Sequence, residues 1–184
     1  FLRISKDTEH GECRSFIRFT DLPYFMPSNM VTKAYLRLQL TRQVGAVDVP
    51  VYLKEVMEYW AADTITWNNQ PVLSEGDIDV EVMEAGSAIG SIAEYDVSNS
   101  VRKWYKEGNF GLALLTKENA TSNLVEFGSS DNANYKPVVL INYVSFAGIQ
   151  PQLTYDTFSC DRAGTVYANL YNGDVVLERP ITRC

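Results

Sequence analysis

The sequence predicts an all-β protein: an antiparallel, jelly-roll-like β-sandwich with one short helix and a C-terminal β-hairpin extension. Three observations favour this fold. Apolar and polar side chains alternate with a period of two through eight short segments within about 130 residues. Gly, Pro, Asn and Ser separate these segments, as they commonly do between strands. Helical periodicity is almost absent, which argues against an α/β fold.

Three segments show the strand pattern most clearly: TKAYLRLQLTR, VDVPVYLK and IDVEVM. The residues expected to point inward in them are Ala34, Leu36, Leu38, Leu40, Val47, Val49, Val51, Leu53, Ile78, Val80 and Val82. Because Pro50 cannot donate a hydrogen bond to a neighbouring strand, we expect its strand to lie at a sheet edge or to carry a β-bulge.

Five more segments are predicted strands: RSFIRF (14–19), SIAEYDV (91–97), FGLALLT (110–116), NLVEFGS (123–129) and KPVVLINY (136–143). The segment DVSNSVRKWYKEG differs, because Val97, Val101 and Trp104 follow one another at i, i+4 and i+7. Asp96 or Ser98 is suited to cap its start, and Gly108 to end it. We therefore expect a short helix over an open end of the sandwich, with Trp104 in the core.

The composition changes after Tyr143, where SFAGIQPQ is typical of a linker. Two strand-like segments follow, and Asn172-Gly173 accepts the positive φ angles of a type I′ hairpin turn. We therefore predict a sandwich domain over residues 1–143, and a linker with the start of a second β unit over residues 144–184. The chain starts within a predicted strand, without methionine or signal peptide, so we expect it to be part of a longer protein.

Composition and motifs argue against several function classes. A net charge of −7 repels phosphate backbones, so nucleic acid is not an expected partner. The longest apolar runs are too short for a membrane span, and no membrane insertion is expected. GxSxG, HExxH and phosphate-binding glycine loops are absent, so we predict no enzyme. The spacing of His10, Cys13, Cys160 and Cys184 does not fit a zinc site, and disulfide pairing stays open.

Two motifs point to a known family. They are Trp-x6-Trp-Asn-x-x-Pro at residues 60–71 and Asp-Val-Ser-x-x-Val-x-x-Trp at residues 96–104. In this order they resemble the DNRLRE-type modules of bacterial extracellular proteins, which are classed with carbohydrate-binding modules. The resemblance covers residues 1–143, although the naming DNRLRE string is absent and the family's first strand is expected before Phe1. AGTVYANLYNGDVVLERP, near the C-terminus, resembles the start of an Rhs or YD-repeat segment of wall-associated type.

The resemblance implies a non-catalytic module that attaches a larger bacterial surface or secreted protein to polysaccharide. The expected partners are a polysaccharide or cell-wall glycan and other domains of the parent chain. The implied location is extracellular, either secreted or associated with the cell wall, and no cofactor is expected. The alternative is a structural or protein-contact module of a multidomain adhesin or of an Rhs-type toxin shell.

The stretch YWAADTITWNNQP is the first candidate ligand site. Trp60 and Trp67 offer flat faces to the apolar side of a sugar ring, while Asn68 and Asn69 can bond its hydroxyl groups. A structural role is the alternative. Trp67, in the alternating run ITW, is then expected in the core, and the two asparagines shape a turn. Trp60 fits either role.

Tyr35 and Arg37 share the outward face of a predicted strand and form a second candidate site. A guanidinium group binds a carboxylate through two hydrogen bonds, which suits an acidic sugar such as a uronate. Asp77 and Asp79, in a cluster of acidic residues near a turn, are the candidate ligands of a calcium ion. Plain solvation is the alternative for both sets, and no other metal site is predicted.

Overall fold

The computed structural model describes residues 1–23, 28–144, 155–159, 165–169 and 175–178. The chain divides into two compact units, Phe1–Tyr143 and Val144–Cys184. The first unit is built from a six-stranded and a four-stranded sheet with one short α-helix. The predicted all-β sandwich is therefore confirmed.

In chain order, the strands of the first unit are β1 (Leu2–Asp7), β2 (Gly11–Cys13), β3 (Ser15–Ile17), β4 (Val31–Gln43), β5 (Val49–Glu55), β6 (Asp79–Met83), β7 (Ile92–Asp96), β8 (Leu112–Leu115), β9 (Val125–Phe127) and β10 (Val138–Tyr143). Its helical elements are the 3-10 turns Ser28–Met30 and Trp67–Asn69 and the α-helix α1, Ser98–Glu107. One sheet has the order β10-β4-β9-β1-β2, with β7 also paired to β4, and the other has the order β3-β8-β5-β6. All pairings between these strands are antiparallel.

Strand β4 supplies one side of the hydrophobic core. Its fully buried side chains are those predicted to point inward, namely Ala34, Leu36, Leu38 and Leu40. The side chains from the second sheet that join the same cluster include Val49, Val51, Leu53, Leu112 and Leu114. Each buried Val or Leu contributes roughly 1.5–3 kcal/mol through removal of apolar surface from water. The alternation that identifies the strands thus also holds the two sheets together.

Two expectations for β5 are wrong. Val47 is 45% exposed, because the strand begins only at Val49. The strand does not lie at an edge either, since it pairs with both β6 and β8, and neither pairing shows a β-bulge. Pro50 is tolerated because it lies where β5 pairs with β6 alone, whereas the pairing with β8 begins at Tyr52.

The inward face predicted for β6 is wrong within the strand itself, although Ile78, just before the strand, is partly buried and packs against the core. Val80 and Val82 are exposed, while Met83 on the other face is buried. The physical reason is a polar contact to the other sheet, where the Asp79 carboxylate accepts a hydrogen bond from the backbone N–H of Asp96 at 2.8 Å. This contact turns Asp79, and with it every second residue of the strand, away from solvent.

Glu81 shares this face of β6 and is half-buried. Partial burial raises the pKa of the Glu81 carboxyl, and the negative charges of Asp79 and Glu94 raise that pKa further. A carboxyl group whose pKa is higher in the folded than in the unfolded state favours folding when protonated. Its contribution to stability is lost as the pH rises through the raised pKa.

We expect Glu81→Gln to increase the free energy of unfolding at about pH 7, because the neutral amide avoids the cost of the half-buried charge. The difference from wild type should shrink as the pH falls to about 4, where Glu81 itself becomes neutral. Urea unfolding at both pH values measures this. The exposed Glu84, changed to Gln, serves as the control and should alter stability little. A Glu81→Gln protein less stable than wild type near neutral pH would contradict the prediction.

The predicted helix is confirmed as α1. Val97, Val101 and Trp104 are buried, and Gly108, with a φ of 102°, ends the helix. At the start, the Asp96 carboxylate accepts a hydrogen bond from the backbone N–H of Ser98 at 2.9 Å. Hydrogen bonds from Lys33 and Ser98 lower the pKa of Asp96 to about 2. Asp96 is therefore charged at neutral pH. A negative charge beside the N-terminus of a helix is favourable, because the helix dipole is positive at that end.

The second unit contains an antiparallel sheet of β11 (Tyr155–Ser159), β12 (Thr165–Asn169) and β13 (Val175–Glu178), in that order. The predicted hairpin turn around Asn172-Gly173 lies outside the described residues, although the strands on its two sides pair with each other. Cys160 and Cys184 also lie outside the described residues. Cys13 is a free, half-buried thiol whose Sγ lies 3.8 Å from the carbonyl oxygen of His10.

Candidate functional site

A long loop between β5 and β6 carries the aromatic motif. Val56 and Leu73 form an isolated bridge at its base, and the N–H of Met57 donates to the carbonyl of Val72 at 2.9 Å. We name residues 57–72 the aromatic loop. Its rings contact the side chains that alternate outward along β3 and its flanks, which are Arg14, Phe16 and Arg18. The aromatic loop therefore covers the outer side of this edge strand.

Trp60 anchors the aromatic loop. The indole is half-buried, and its Nε1–H donates to the carbonyl oxygen of Phe110 at 2.7 Å. Its ring lies 5.6 Å from the ring of Phe16, at an interplanar angle of 54°. An aromatic pair at this separation adds roughly 0.5–1.5 kcal/mol to the energy of burial. Trp60 thus stabilises the loop and leaves only part of its surface open to a ligand.

Arg18 holds two rings at once. Its guanidinium carbon lies 5.1 Å from the ring centre of Tyr59 and 5.5 Å from that of Trp60. Its Nη1 also donates to the carbonyl oxygen of Trp60 at 3.3 Å. Tyr59 is nevertheless 70% exposed. The arginine therefore fixes the orientation of a ring that remains accessible, which is the kind of preorganisation that favours binding.

Trp67 is not in the core, contrary to the structural alternative. Its side chain is 52% exposed, because Trp67 begins a 3-10 turn and does not continue a strand. The Arg14 guanidinium lies 4.9 Å from the centre of the Trp67 ring. That guanidinium is held in turn by Glu12 at 2.6 Å and by the side-chain oxygen of Gln70 at 3.0 Å. A second exposed ring is thus backed by a fixed arginine.

The two asparagines have different environments. Asn69 uses its amide within the loop, since Nδ2 donates to the carbonyl of Thr64 at 2.9 Å and Oδ1 accepts from the Thr66 hydroxyl at 2.8 Å. Gln70 likewise donates to the carbonyl of Trp67 at 3.0 Å. These bonds shape the turn that presents Trp67. Asn68, the residue that follows Trp67, is exposed, which leaves its amide accessible to a ligand.

Tyr35 and Arg37 lie on the other sheet. Because Ala34 and Leu36 point into the core, Tyr35 and Arg37 face outward from β4. The guanidinium of Arg37 forms an ion pair with Glu94, its cross-strand neighbour on β7. The Arg37 guanidinium, which was expected to bind a uronate, is therefore already paired with a carboxylate of the protein itself. The structure does not bring these two residues together with the aromatic loop.

Asp77 and Asp79 are each engaged by neighbouring groups. The Asp77 carboxylate forms ion pairs with Lys54 and Lys117. Burial acts to raise the pKa of Asp77, but the hydrogen bonds and charges of the two lysines outweigh it and lower the pKa. Asp79 accepts the backbone hydrogen bond of Asp96. Within the described ranges, no group of three or more His, Cys, Asp or Glu side chains is placed to hold a metal ion.

The comparison with protein families adds the decisive observation. A family model described as carbohydrate-binding module family 96 matches residues 1–143. The chain belongs to carbohydrate-binding module family 96. The matched residues coincide with the compact unit that contains both sheets of the sandwich and the aromatic loop. The family 96 match therefore supports a carbohydrate-binding module.

A similar protein is described as the tRNA3(Ser)-specific nuclease WapA of Bacillus spizizenii. It is 29% identical over 150 residues, which correspond to 80% of this chain. The chain spans only 6% of the length of that relative. Among the residues that the structure describes, no helix is both long enough and apolar enough to cross a membrane.

The family 96 unit also has a polar cleft of about 590 Å³ beside the N-terminus of α1. The charged groups that line it are largely paired with one another, as in the contacts of Lys33 with Asp96 and of Lys103 with Glu55, each at 2.7 Å. None of the described residues that line it is aromatic. The aromatic loop is therefore the stronger candidate for the carbohydrate-binding site of this module.

Sequence reasoning missed three residues of this site. Tyr59 stands inside the quoted motif but was not selected, and Arg14 and Arg18 lie more than forty positions earlier. A signal was present, because the alternation in RSFIRF places Arg14, Phe16 and Arg18 on one face of a strand. That signal shows which residues share a face, but not which loop covers it.

Proposed function

We propose that this family 96 module is a non-catalytic extracellular module, and that it attaches a larger bacterial surface or secreted protein to polysaccharide through its aromatic loop. The observation that carries the proposal is the pair of exposed rings, Tyr59 and Trp67, each backed by an arginine. Aromatic rings present an apolar face, which suits the CH-rich side of a sugar ring.

The arrangement of each ring supports this role. A guanidinium group covers one face of Tyr59 and of Trp67, so a sugar would stack on the opposite face. Trp60 contributes the part of its side chain that remains accessible to solvent. Asn68 provides an amide for the hydroxyl groups at the rim of the sugar. Because the rings are held in advance, binding loses little side-chain entropy. In this proposal Asn69 acts by shaping the turn, and Tyr35 and Arg37 form a separate, secondary candidate site.

The non-catalytic character is supported by two carboxylates in or beside the aromatic loop that are already engaged by other groups of the protein. Glu12 holds Arg14 at 2.6 Å, and Glu58 accepts a hydrogen bond from the backbone N–H of Val72 at 2.8 Å. Both acids thus serve to fix the aromatic loop. A glycosidase requires a pair of carboxylates free to act on either side of a sugar bond.

We also propose a DNRLRE-type domain over residues 1–143, and a linker followed by the start of an Rhs-type or YD-repeat unit over residues 144–184. The two motifs at residues 60–71 and 96–104 support the first assignment. The antiparallel sheet of β11, β12 and β13 is compatible with the second. Attachment to a cell wall would follow from the wall-associated type of protein that the C-terminal segment resembles.

The second candidate function is a protein-contact module in a multidomain adhesin or Rhs-type toxin shell. It is favoured by one observation, the exposed apolar side chains of Val138 and Leu140 on β10. In this case the outer surfaces of the sandwich would contact neighbouring domains, and the aromatic loop would have no sugar ligand.

Affinity electrophoresis distinguishes the two functions. The protein is run in native gels that contain neutral or uronate-rich polysaccharides, beside a protein that binds no sugar as the control. We expect at least one polysaccharide to slow its migration relative to a gel without polysaccharide. If no polysaccharide does so, although circular dichroism shows the β-sandwich intact, attachment to polysaccharide is contradicted and the protein-contact function is favoured.

A further inference from the structure

A cleft of about 820 Å³ opens between β10 of one sheet and β3 of the other. Its apolar lining includes Ile17, Phe19, Leu22, Val139 and Ile141, all of them partly buried and packed against the core. The volume lies within the range of roughly 300–1,000 Å³ that is typical of ligand sites. At this point the sandwich presents core-type side chains to an open space.

Strand β10 borders this cleft and is an edge of the six-stranded sheet among the described residues. It pairs with β4 along one side, and within the described part of the chain no strand pairs along the other. Natural proteins protect edge strands with charged residues, prolines or short length, because unpaired N–H and C=O groups can recruit another strand. The six residues VVLINY carry no charge. By contrast, β2 and β3 have three residues each, and β6 carries Asp79 and Glu81.

The rim of the cleft carries two cations and one acid, namely Arg18, Lys136 and Asp21. Neither Arg18 nor Lys136 forms an ion pair with a carboxylate in the part of the chain that the structure describes. The whole chain has a net charge of −7, so a second copy would be repelled. A short segment with a single acid carries little of this repulsion and meets the cations at the rim, so the rim favours such a segment over a second whole copy.

We propose that β10 and this cleft bind an extended segment of a partner polypeptide, which adds a strand to the six-stranded sheet. The segment has apolar side chains at alternate positions and an acidic residue near one end. Its backbone bonds the edge of β10, its apolar side chains enter the cleft beside Val139 and Ile141, and its acid meets Lys136. This interaction goes beyond polysaccharide binding, because it uses the edge and the interior of the sandwich.

The test uses a short synthetic peptide of alternating valine and threonine with glutamate at one end. The control peptide has the same sequence, but its alternate backbone amides are N-methylated, which removes the hydrogen bonds to β10. Hydrogen exchange measured by NMR reports the amides of Val138–Tyr143, and tryptophan fluorescence reports the cleft, because Trp60 lines it. We expect slower exchange at β10 and saturable binding with the first peptide only.

Two variants of the full chain locate the binding face. Ile141→Thr, inside the cleft, should weaken peptide binding roughly fivefold through lost apolar contact. Leu140→Thr, on the same strand but facing outward, should leave binding unchanged. If Ile141→Thr does not fold, the comparison of the two peptides decides alone. Unchanged exchange at β10, or equal binding of the methylated peptide, overturns the proposal. So does a wild-type dimer by sedimentation.

Discussion

Replacing both Tyr59 and Trp67 by Ala is expected to abolish retention on any polysaccharide that the wild-type protein binds, while the sandwich remains folded. Each ring is expected to contribute about 1 kcal/mol or more by stacking, so the double variant should bind roughly 30-fold more weakly or worse. The stability cost should be small, because the side chains are 70% and 52% exposed. Affinity electrophoresis measures the retention, and thermal unfolding verifies the fold.

A matched control lies on the other sheet. The double variant Tyr35→Ala, Arg37→Gln removes an aromatic ring and a charge from the outward face of β4, which belongs to the other sheet. We expect it to keep most of the wild-type retention, because Arg37 is already paired with Glu94 and this face is only the secondary candidate site. If this variant loses retention and the Tyr59, Trp67 variant keeps it, then the binding surface is the outer face of β4, and the role assigned to the aromatic loop is wrong.

The largest loss of stability is expected for Gly128→Ala. A Cβ atom at this position would lie 1.7 Å from the carbonyl oxygen of Tyr135 and 2.7 Å from its carbonyl carbon. Both are backbone atoms, so a rotation of a side chain cannot relieve the overlap. Gly128 also donates its N–H to the carbonyl of Gln39 at 3.1 Å, which ties it to β4. We therefore expect a loss of about 3 kcal/mol or more in the free energy of unfolding.

Gly76→Ala is the matched control for this substitution. No atom lies within 4 Å of a Cβ built at Gly76, and its φ is not in the left-handed region. Urea unfolding should show little change for this variant, or a small gain from the lower entropy of its unfolded chain. Equal stability of the two alanine variants would show that the segment 128–135 can move apart without cost, contrary to the expectation.

The strands and the helix could be predicted where buried apolar side chains recur at one regular spacing along the sequence. In β4, every second side chain is buried between two sheets, so the alternation alone identified Ala34, Leu36, Leu38 and Leu40 as core residues. In α1, the spacing of Val97, Val101 and Trp104 matches the turn of a helix that buries one face. Both patterns record burial, and burial provides most of the folding energy.

The predictions that failed are those in which a contact from elsewhere overrides the local pattern. Val80 and Val82 have the alternation of inward residues, yet the hydrogen bond from Asp96 to Asp79 turns the opposite face of β6 inward. Trp67 ends an alternating run, yet the bonds of Asn69 and Gln70 turn that run into a 3-10 helix and expose the ring. Neither partner contact is visible in the spacing of the residues concerned.

The sequence by itself determined that this protein is a β-sandwich, which side chains build most of its core, and which stretch carries the aromatic motif. Only the tertiary structure decided which rings are exposed and which groups lie against them. The arginines that contact these rings, Arg14 and Arg18, are more than forty residues away in the chain. Local periodicity reports whether a residue faces the core. It cannot report what lies against the other face, since that depends on which distant segments the folded chain places together.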